Sequence, residues 1–109
     1  MSEAKQIPIK DFLARRKANP KSIVIDVRDD DKWKEGHIPG ATHINKTKVA
    51  DEIAEKVTDK NAEIFCHCGG GTSGTKAAVL LNEMGYKNAG AIQGGFRSYK
   101  ASGQKIVKK

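Results

Sequence analysis

The most informative segment for the fold is residues 65–76, which read Phe65-Cys66-His67-Cys68-Gly69-Gly70-Gly71-Thr72-Ser73-Gly74-Thr75-Lys76. A buried strand over residues 62–66 is predicted to end here, because three glycines follow its apolar run. The apolar residues that come next have helical spacing and predict a helix that Gly85 ends: Ala77, Ala78, Leu80, Leu81 and Met84. The segment is therefore predicted to be a strand, a cysteine, a glycine-rich loop and a helix.

Strand and helix patterns alternate on both sides of this segment. Strands are predicted at 7–9, 23–27, 42–44 and 88–92, and helices at 11–17, at 96–101 and through Val49, Ile53 and Val57. Such alternation is typical of an α/β domain with a parallel sheet covered by helices on both faces. Ligands in these folds bind at the carboxyl ends of the strands. Cys68 is predicted to lie at one of those ends.

Length and hydropathy predict one cytoplasmic domain. The 109 residues suit a single domain over 1–109, with a core at about 7–102 and a polar, basic tail at 103–109 that is expected to fray. No apolar stretch is long enough to cross a bilayer, so no membrane association is predicted. The first six residues contain no apolar run after a basic patch, which predicts no secretory signal.

The charge balance favours anionic partners. Twenty Lys and Arg residues against thirteen Asp and Glu residues give a formal net charge of +7. The basic residues are scattered and aromatic residues are 6% of the chain, which does not favour the stacking surfaces that bind single-stranded nucleic acid. Small anions or an acidic protein are therefore the favoured partners.

Two cysteines, Cys66 and Cys68, flank His67. Their number and spacing match neither a disulfide framework nor a set of four metal ligands. Side chains alternate between the two faces of a strand, so these three neighbours cannot converge on one ion. No metal and no other cofactor is predicted.

The glycine-rich loop can form a nest of backbone N–H groups. Glycines allow the backbone to curl, and the following helix adds its positive amino end. A thiol in such a nest ionises more easily, and the same donors would hold an anionic persulfide. A plain glycine-rich turn beside a buried cysteine remains the alternative. The predicted binding residues are Gly69, Gly70, Gly71, Thr72, Ser73, Gly74 and Lys76.

Three motifs, in order along the chain, resemble the rhodanese family. The loop and helix match at Cys68, Gly71, Ala77, Ala78 and Leu81 without a gap. The first signature resembles Asp26-Val27-Arg28, Trp33 and Gly36-His37-Ile38-Pro39-Gly40-Ala41, and the second resembles Gly85-Tyr86 and Gly94-Gly95-Phe96. Together the motifs extend from about Ile7 to Tyr99.

The resemblance implies a three-layer α/β/α fold with a five-stranded parallel sheet, and a sulfurtransferase. Its catalytic residue would be Cys68, which takes a sulfane sulfur from a small anionic donor such as thiosulfate. The persulfide would pass this sulfur to cyanide, a thiol or an acceptor protein. Cys66 would be a packing residue, Asp26 and Arg28 would have structural roles near the site, and the protein would be a monomer or weak dimer.

The loop departs from the family pattern in its charge. Many relatives have an arginine where Ser73 stands and a serine where Gly74 stands, so an anionic donor here would be held by backbone N–H groups, helped by Lys76. Two alternatives remain open. Phosphatases and arsenate reductases of related fold have a loop one residue longer that ends in arginine, and a binding module would contain an idle cysteine.

Overall fold

Five parallel strands form one sheet in this computed structural model, which describes residues 4–69 and 72–108. The strands are β1 (Lys5–Ile7), β2 (Ile23–Asp26), β3 (Thr42–His43), β4 (Ile64–His67) and β5 (Ala89–Ile92). Their order across the sheet is β1-β5-β4-β2-β3. The predicted α/β class and five-stranded parallel sheet are therefore confirmed. Gly70 and Gly71 of the predicted binding loop lie outside the described residues.

Helices connect the strands and cover both faces of the sheet. They are α1 (Ile9–Ala18), α2 (Asp30–Glu35), α3 (Val49–Lys56), α4 (Thr72–Glu83) and α5 (Gly95–Ala101), with a 3-10 turn at Lys46–Lys48. None of the helices within the described ranges is long and apolar enough to cross a bilayer.

The alternation of side chains along each strand divides the core in two. Ile25 and Cys66 face α3 and α4, where they pack with Val49, Ile53, Ala77, Ala78 and Leu81. Val24 and Phe65 face α1 and α5 and pack with Phe12 and Tyr99. The rings of Phe12 and Phe65 meet edge to face at 4.9 Å, an arrangement that adds about 0.5–1.5 kcal/mol to their burial. The central strands are covered on both faces, as their continuous apolar runs predict.

The first strand and helix differ from the sequence prediction. The strand ends at Ile7 and the helix begins at Ile9, whereas residues 7–9 had been assigned to the strand and the helix to 11–17. Pro8 has no N–H to continue a strand ladder. Its carbonyl accepts from the N–H of Phe12 at 2.9 Å, so the chain has already turned into the helix.

Helix α2 was not predicted from the sequence. Its six residues, Asp-Asp-Lys-Trp-Lys-Glu, include one apolar side chain and have no apolar periodicity. The Trp33 ring stacks on His37 with ring centroids 3.4 Å apart and faces His43 at 4.9 Å. Contacts with residues later in the chain therefore hold this helix in place, and a local pattern cannot report them.

The carboxyl-terminal segment contacts the rest of the domain at residues 105–107, where the sequence predicts a fraying tail. Val107 pairs antiparallel with His37, with N–H to carbonyl distances of 2.8 and 3.0 Å. The Tyr99 hydroxyl donates to the carbonyl of Lys105 at 2.6 Å, and Ile106 packs against the α1–α5 core. Apolar Ile106 and Val107 were the signal that the surrounding lysines obscured.

Candidate active site

Cys68 lies at the carboxyl end of the central strand β4. The hydrogen-bond ladder between β2 and β4 extends to His67, the residue before Cys68, because the N–H of Val27 donates to the carbonyl of His67 at 3.0 Å. Cys68 is 8% exposed and forms no disulfide. It is the first residue of the connection between β4 and α4, which begins at Thr72. The thiol thus lies at the carboxyl ends of the strands, where parallel α/β folds bind ligands.

Helix α5 holds the start of the loop. The N–H groups of Phe96 and Arg97, in its first turn, donate to the carbonyls of Cys68 and Gly69 at 2.8 and 3.1 Å. Gly94 and Gly95 precede them with φ of 76° and 59°, left-handed values that glycine adopts without strain. The Gly94-Gly95-Phe96 motif therefore anchors the backbone of the cysteine from across the fold.

Helix α4 lies close against the end of β4 at Gly74. A Cβ added to Gly74 would lie 2.8 Å from the Cα of His67 and 3.1 Å from the backbone nitrogen of Cys68. Gly74 is buried, and its lack of a side chain allows the helix and the strand to approach each other closely. The structure thus gives Gly74 a packing role, and its binding role stays a prediction.

An open cleft of about 690 Å³ surrounds Cys68. The predicted residues Gly69, Thr72 and Ser73 line it, as does Arg28. The other lining residues, which the sequence analysis had not assigned to the site, are Asp29, Lys32, Glu35, Lys46, Phe96, Arg97 and Lys100. They come from α2, α5 and the turn before α3, and only the Gly94-Gly95-Phe96 motif pointed toward one of them.

Lys76 lines a different pocket from Cys68. It lies between α3 and α4 in a space of about 320 Å³, together with Lys46, Ser73 and Leu80. Lys46 and Ser73 line both this space and the cleft around Cys68, so the two spaces adjoin. Lys76 does not line the cleft, and its expected help in holding a donor beside Cys68 stays a prediction.

Asp26 and Arg28 form a buried ion pair beneath the cleft. The guanidinium donates to both carboxylate oxygens, with the shortest contact 2.7 Å from Nη2 to Oδ2, and the Arg28 N–H donates to Oδ1 at 2.9 Å. Nη2 also donates to the carbonyl of Gly36 at 2.7 Å, and the guanidinium lies 4.1 Å from the Phe96 ring centroid. Burial alone would raise the pKa of Asp26, but the Arg28 hydrogen bonds and charge bring it below its usual range.

His67 is fully buried on the opposite face of β4 from Cys66. Its Nδ1 donates to the carbonyl of Cys68 at 3.3 Å, and its Nε2 lies 3.7 Å from Oδ2 of Asp26 without a hydrogen bond. Burial lowers the pKa of His67, and the Asp26 charge offsets this in part. Within residues 4–69 and 72–108, no group of three or more His, Cys, Asp or Glu side chains is arranged to hold a metal ion.

Cys66 is fully buried between its strand neighbours Ile25 and Ala91. Burial raises the pKa of its thiol to about 12. A thiol that stays protonated is a poor nucleophile, which agrees with the packing role expected for Cys66.

Comparisons with known proteins agree with this architecture. The family model described as a rhodanese-like domain matches residues 10–102. The chain belongs to the rhodanese family. It is 36% identical over 102 residues to the thiosulfate sulfurtransferase GlpE of Pseudomonas entomophila, a match that covers 94% of this chain and 90% of that protein.

Solved rhodanese structures have the same fold. The rhodanese-related protein of Thermoplasma volcanium superimposes with a TM-score of 0.83 at 21% identity, over 96% of this chain and 99% of the other. The thiosulfate sulfurtransferase of Pseudomonas aeruginosa gives a TM-score of 0.80 at 21% identity, over 94% of this chain and 20% of that one. At this identity the likeness concerns the fold of the rhodanese domain.

Gly74→Ala is expected to destabilise this rhodanese domain by about 1–3 kcal/mol, the usual cost of overpacking. The new methyl would press on the backbone of His67 and Cys68, which cannot rotate away. Gly69→Ala is the matched control, because a Cβ there meets nothing within 4 Å. Urea denaturation of both variants measures the free energy of unfolding. Equal stability of Gly74→Ala and wild type would contradict the close packing of α4 on β4.

The lowered pKa of His67 predicts a loss of stability in mild acid. Below the unfolded-state pKa of about 6.5, the unfolded chain binds a proton that the folded chain refuses, so the free energy of unfolding falls as pH falls, by at most about 1.4 kcal/mol per pH unit. In His67→Leu the free energy of unfolding should depend less on pH between about pH 7 and about pH 5, because leucine does not titrate. An unchanged slope in this variant would remove His67 as the cause.

Cys66→Ala is expected to retain sulfur transfer. Residues two apart in a strand have Cα atoms about 6.5 Å apart and nearly parallel side chains, which prevents the Cβ separation of ~3.8 Å that a disulfide needs. Thiocyanate production by Cys66→Ala checks this, and peptide mapping of the persulfide-loaded wild type, without added thiol, checks that no disulfide forms. A Cys66–Cys68 disulfide that appears as sulfide is released would identify Cys66 as a resolving cysteine instead.

Proposed function

We propose that this rhodanese domain is a sulfurtransferase that carries a sulfane sulfur as a persulfide on Cys68. The observation that carries the proposal is the position of Cys68, which lies at the carboxyl end of β4 in a cleft lined by basic side chains. The relative at 36% identity is a thiosulfate sulfurtransferase, which supports thiosulfate as a donor.

The reaction has two displacement steps. The Cys68 thiolate attacks the outer sulfur of thiosulfate, the sulfur–sulfur bond of the donor breaks, and sulfite leaves with the electron pair. A cyanide ion or a thiolate then attacks the outer sulfur of the persulfide and returns the electron pair to Cys68. Covalent catalysis of this kind divides one transfer into two easier ones.

The residues around Cys68 would serve both steps by holding it in place. The Phe96 and Arg97 N–H groups fix the carbonyls of Cys68 and Gly69, so the thiol does not need to be positioned at each turnover. The amino end of α4 points its positive dipole toward the loop. Thiolate, persulfide and donor are all anionic, and a positive environment stabilises each of them.

The partners and compartment that go with this proposal are those of a small carrier enzyme. We assign it a small anionic sulfur donor and a thiol or acceptor protein, and place it as a monomer or weak dimer in the cytoplasm. A reducing compartment would keep Cys66 and Cys68 as thiols and supply thiol acceptors.

Intact mass spectrometry tests the proposal directly. Thiosulfate treatment should add the mass of one sulfur to the protein, and dithiothreitol should remove it by thiol attack on the persulfide. Cyanide should turn over with release of sulfite and thiocyanate. Hydrolysis of a phosphate ester in place of sulfur transfer would favour the phosphatase alternative. A protein that gains no sulfur from thiosulfate or from a small persulfide would be a binding module.

A further inference from the structure

Three basic residues line the cleft around Cys68 without carboxylate partners in the described part of the chain. Arg97 and Lys100 come from α5, and Lys46 comes from the 3-10 turn before α3. All three are exposed. We call Lys46, Arg97 and Lys100 the basic rim. By contrast, Lys32 lies 3.9 Å from Glu35 and Arg28 is paired with Asp26.

Among the described residues, no carboxylate oxygen lies within 4.0 Å of a nitrogen of the basic rim. Asp29 lies on the α2 side, where it accepts a hydrogen bond from Asn45 at 3.4 Å, and Glu35 is the neighbour of Lys32. The loop from Gly69 to Thr75 contains no charged residue. The positive charge beside Cys68 is therefore supplied by the rim and not by the loop.

The cleft is larger than a small inorganic donor requires. Its volume of about 690 Å³ falls in the range of about 300–1,000 Å³ that is usual for sites of organic ligands. Phe96 is half-buried and lines the cleft with its ring against the Arg28 guanidinium. The cleft thus offers an apolar surface next to cations, which suits a molecule with methylene groups and carboxylates.

The second step of sulfur transfer has an electrostatic obstacle that the rim can remove. The attacking thiolate and the Cys68 persulfide are both negative, and carboxylates on the acceptor add to the repulsion. Cations that line the same cleft as Cys68 attract such an acceptor and increase its rate of encounter. A thiol without carboxylates is attracted only through the single charge of its thiolate, so its rate of encounter increases less.

We propose that the basic rim selects the sulfur acceptor, and that this acceptor is a thiol with two or more carboxylates close to its sulfur. The proposal rests on the persulfide chemistry assigned above. The acceptor thiolate forms a bond to the outer sulfur, the bond from that sulfur to Cys68 breaks, and the acceptor leaves as a persulfide. No oxidant or reductant takes part.

Single-turnover transfer from the loaded protein tests this selection. The protein is loaded with thiosulfate, freed of donor, and checked for persulfide by intact mass. It is then mixed with cysteamine, 2-mercaptoethanol, 3-mercaptopropionate or mercaptosuccinate, and the rate constant is expressed per thiolate. We expect the rate to rise along this series, with mercaptosuccinate faster than 2-mercaptoethanol by roughly tenfold or more at low ionic strength. Added salt should reduce the difference.

A matched pair of variants locates the effect. Lys46→Gln/Arg97→Gln/Lys100→Gln removes the rim, and Lys10→Gln/Lys17→Gln/Lys56→Gln removes the same number of charges from exposed sites on α1 and α3. The rim variant should lose most of the preference for mercaptosuccinate, and the control variant should keep it. Equal rates for all four thiols in the wild type, or the same preference in both variants, would overturn the proposal.

The two sources of such a thiol are separated by one further probe. A short peptide with a cysteine between glutamates represents an acidic protein segment, and mercaptosuccinate represents a small acceptor. Whichever is faster identifies the source, and rim dependence of that rate supports the proposal. Failure of the protein to load with sulfur would instead refute the persulfide function, so the two ideas fail in different steps.

Discussion

Cys68→Ser is expected to abolish persulfide formation and to reduce turnover by at least about a thousandfold, because it removes the covalent nucleophile. A serine hydroxyl remains protonated and cannot hold a sulfane sulfur. Serine is close to cysteine in size, so the fold should change little at a site that is 8% exposed. Intact mass after thiosulfate and thiocyanate production from cyanide measure the two effects.

Cys66→Ala is the control for this experiment. It removes the other thiol of the chain, and it should still gain one sulfur. Turnover by Cys68→Ser at the wild-type rate would contradict the assignment of Cys68. A mass gain that disappears in Cys66→Ala and persists in Cys68→Ser would assign the persulfide to Cys66.

Asp26→Ala is expected to lower the free energy of unfolding by about 3–5 kcal/mol, because it leaves the Arg28 guanidinium nearly buried without its counter-charge. The side chain of Arg28 is 9% exposed and that of Asp26 is fully buried. A loss of this size is a large part of the total of about 5–15 kcal/mol that a small domain has. Urea denaturation at neutral pH gives the value.

The double variant Asp26→Leu/Arg28→Met separates the worth of the pair from the cost of breaking it. Replacing both charges with apolar side chains removes the unpaired group, so this variant should be more stable than Asp26→Ala. Asp26→Asn, a milder change, serves if Asp26→Ala does not fold. Wild-type stability in Asp26→Ala and in Asp26→Asn would show that the pair has no structural role.

The strand, loop and helix of residues 65–76 were predictable because each is encoded over a few neighbours. Apolar residues before Cys66, the glycines after Cys68 and the helical spacing from Ala77 to Leu81 are local signals. The same holds for the place of Cys68 at a strand end. The burial of Cys66 also follows from its position in an apolar strand.

Short polar segments were not predictable in this way. Helix α2 depends on the stack of Trp33 with His37 and His43, and the docked tail depends on the pairing of Val107 with His37. These contacts join residues that are distant in the sequence or lack periodicity. Their stability comes from tertiary packing, which overrides weak local preference.

Local sequence patterns alone predicted the order of the strands, the helices other than α2, the family and the cysteine on which chemistry is proposed. Tertiary structure alone decided which charges surround that cysteine. Lys76 is eight residues from Cys68 and faces another pocket, whereas Arg97 and Lys100 are far along the chain and line its cleft. Parallel crossovers bring helix ends that are distant in the sequence to the carboxyl end of the sheet, whereas Lys76 lies one turn, about 6 Å along the helix axis, beyond Thr72.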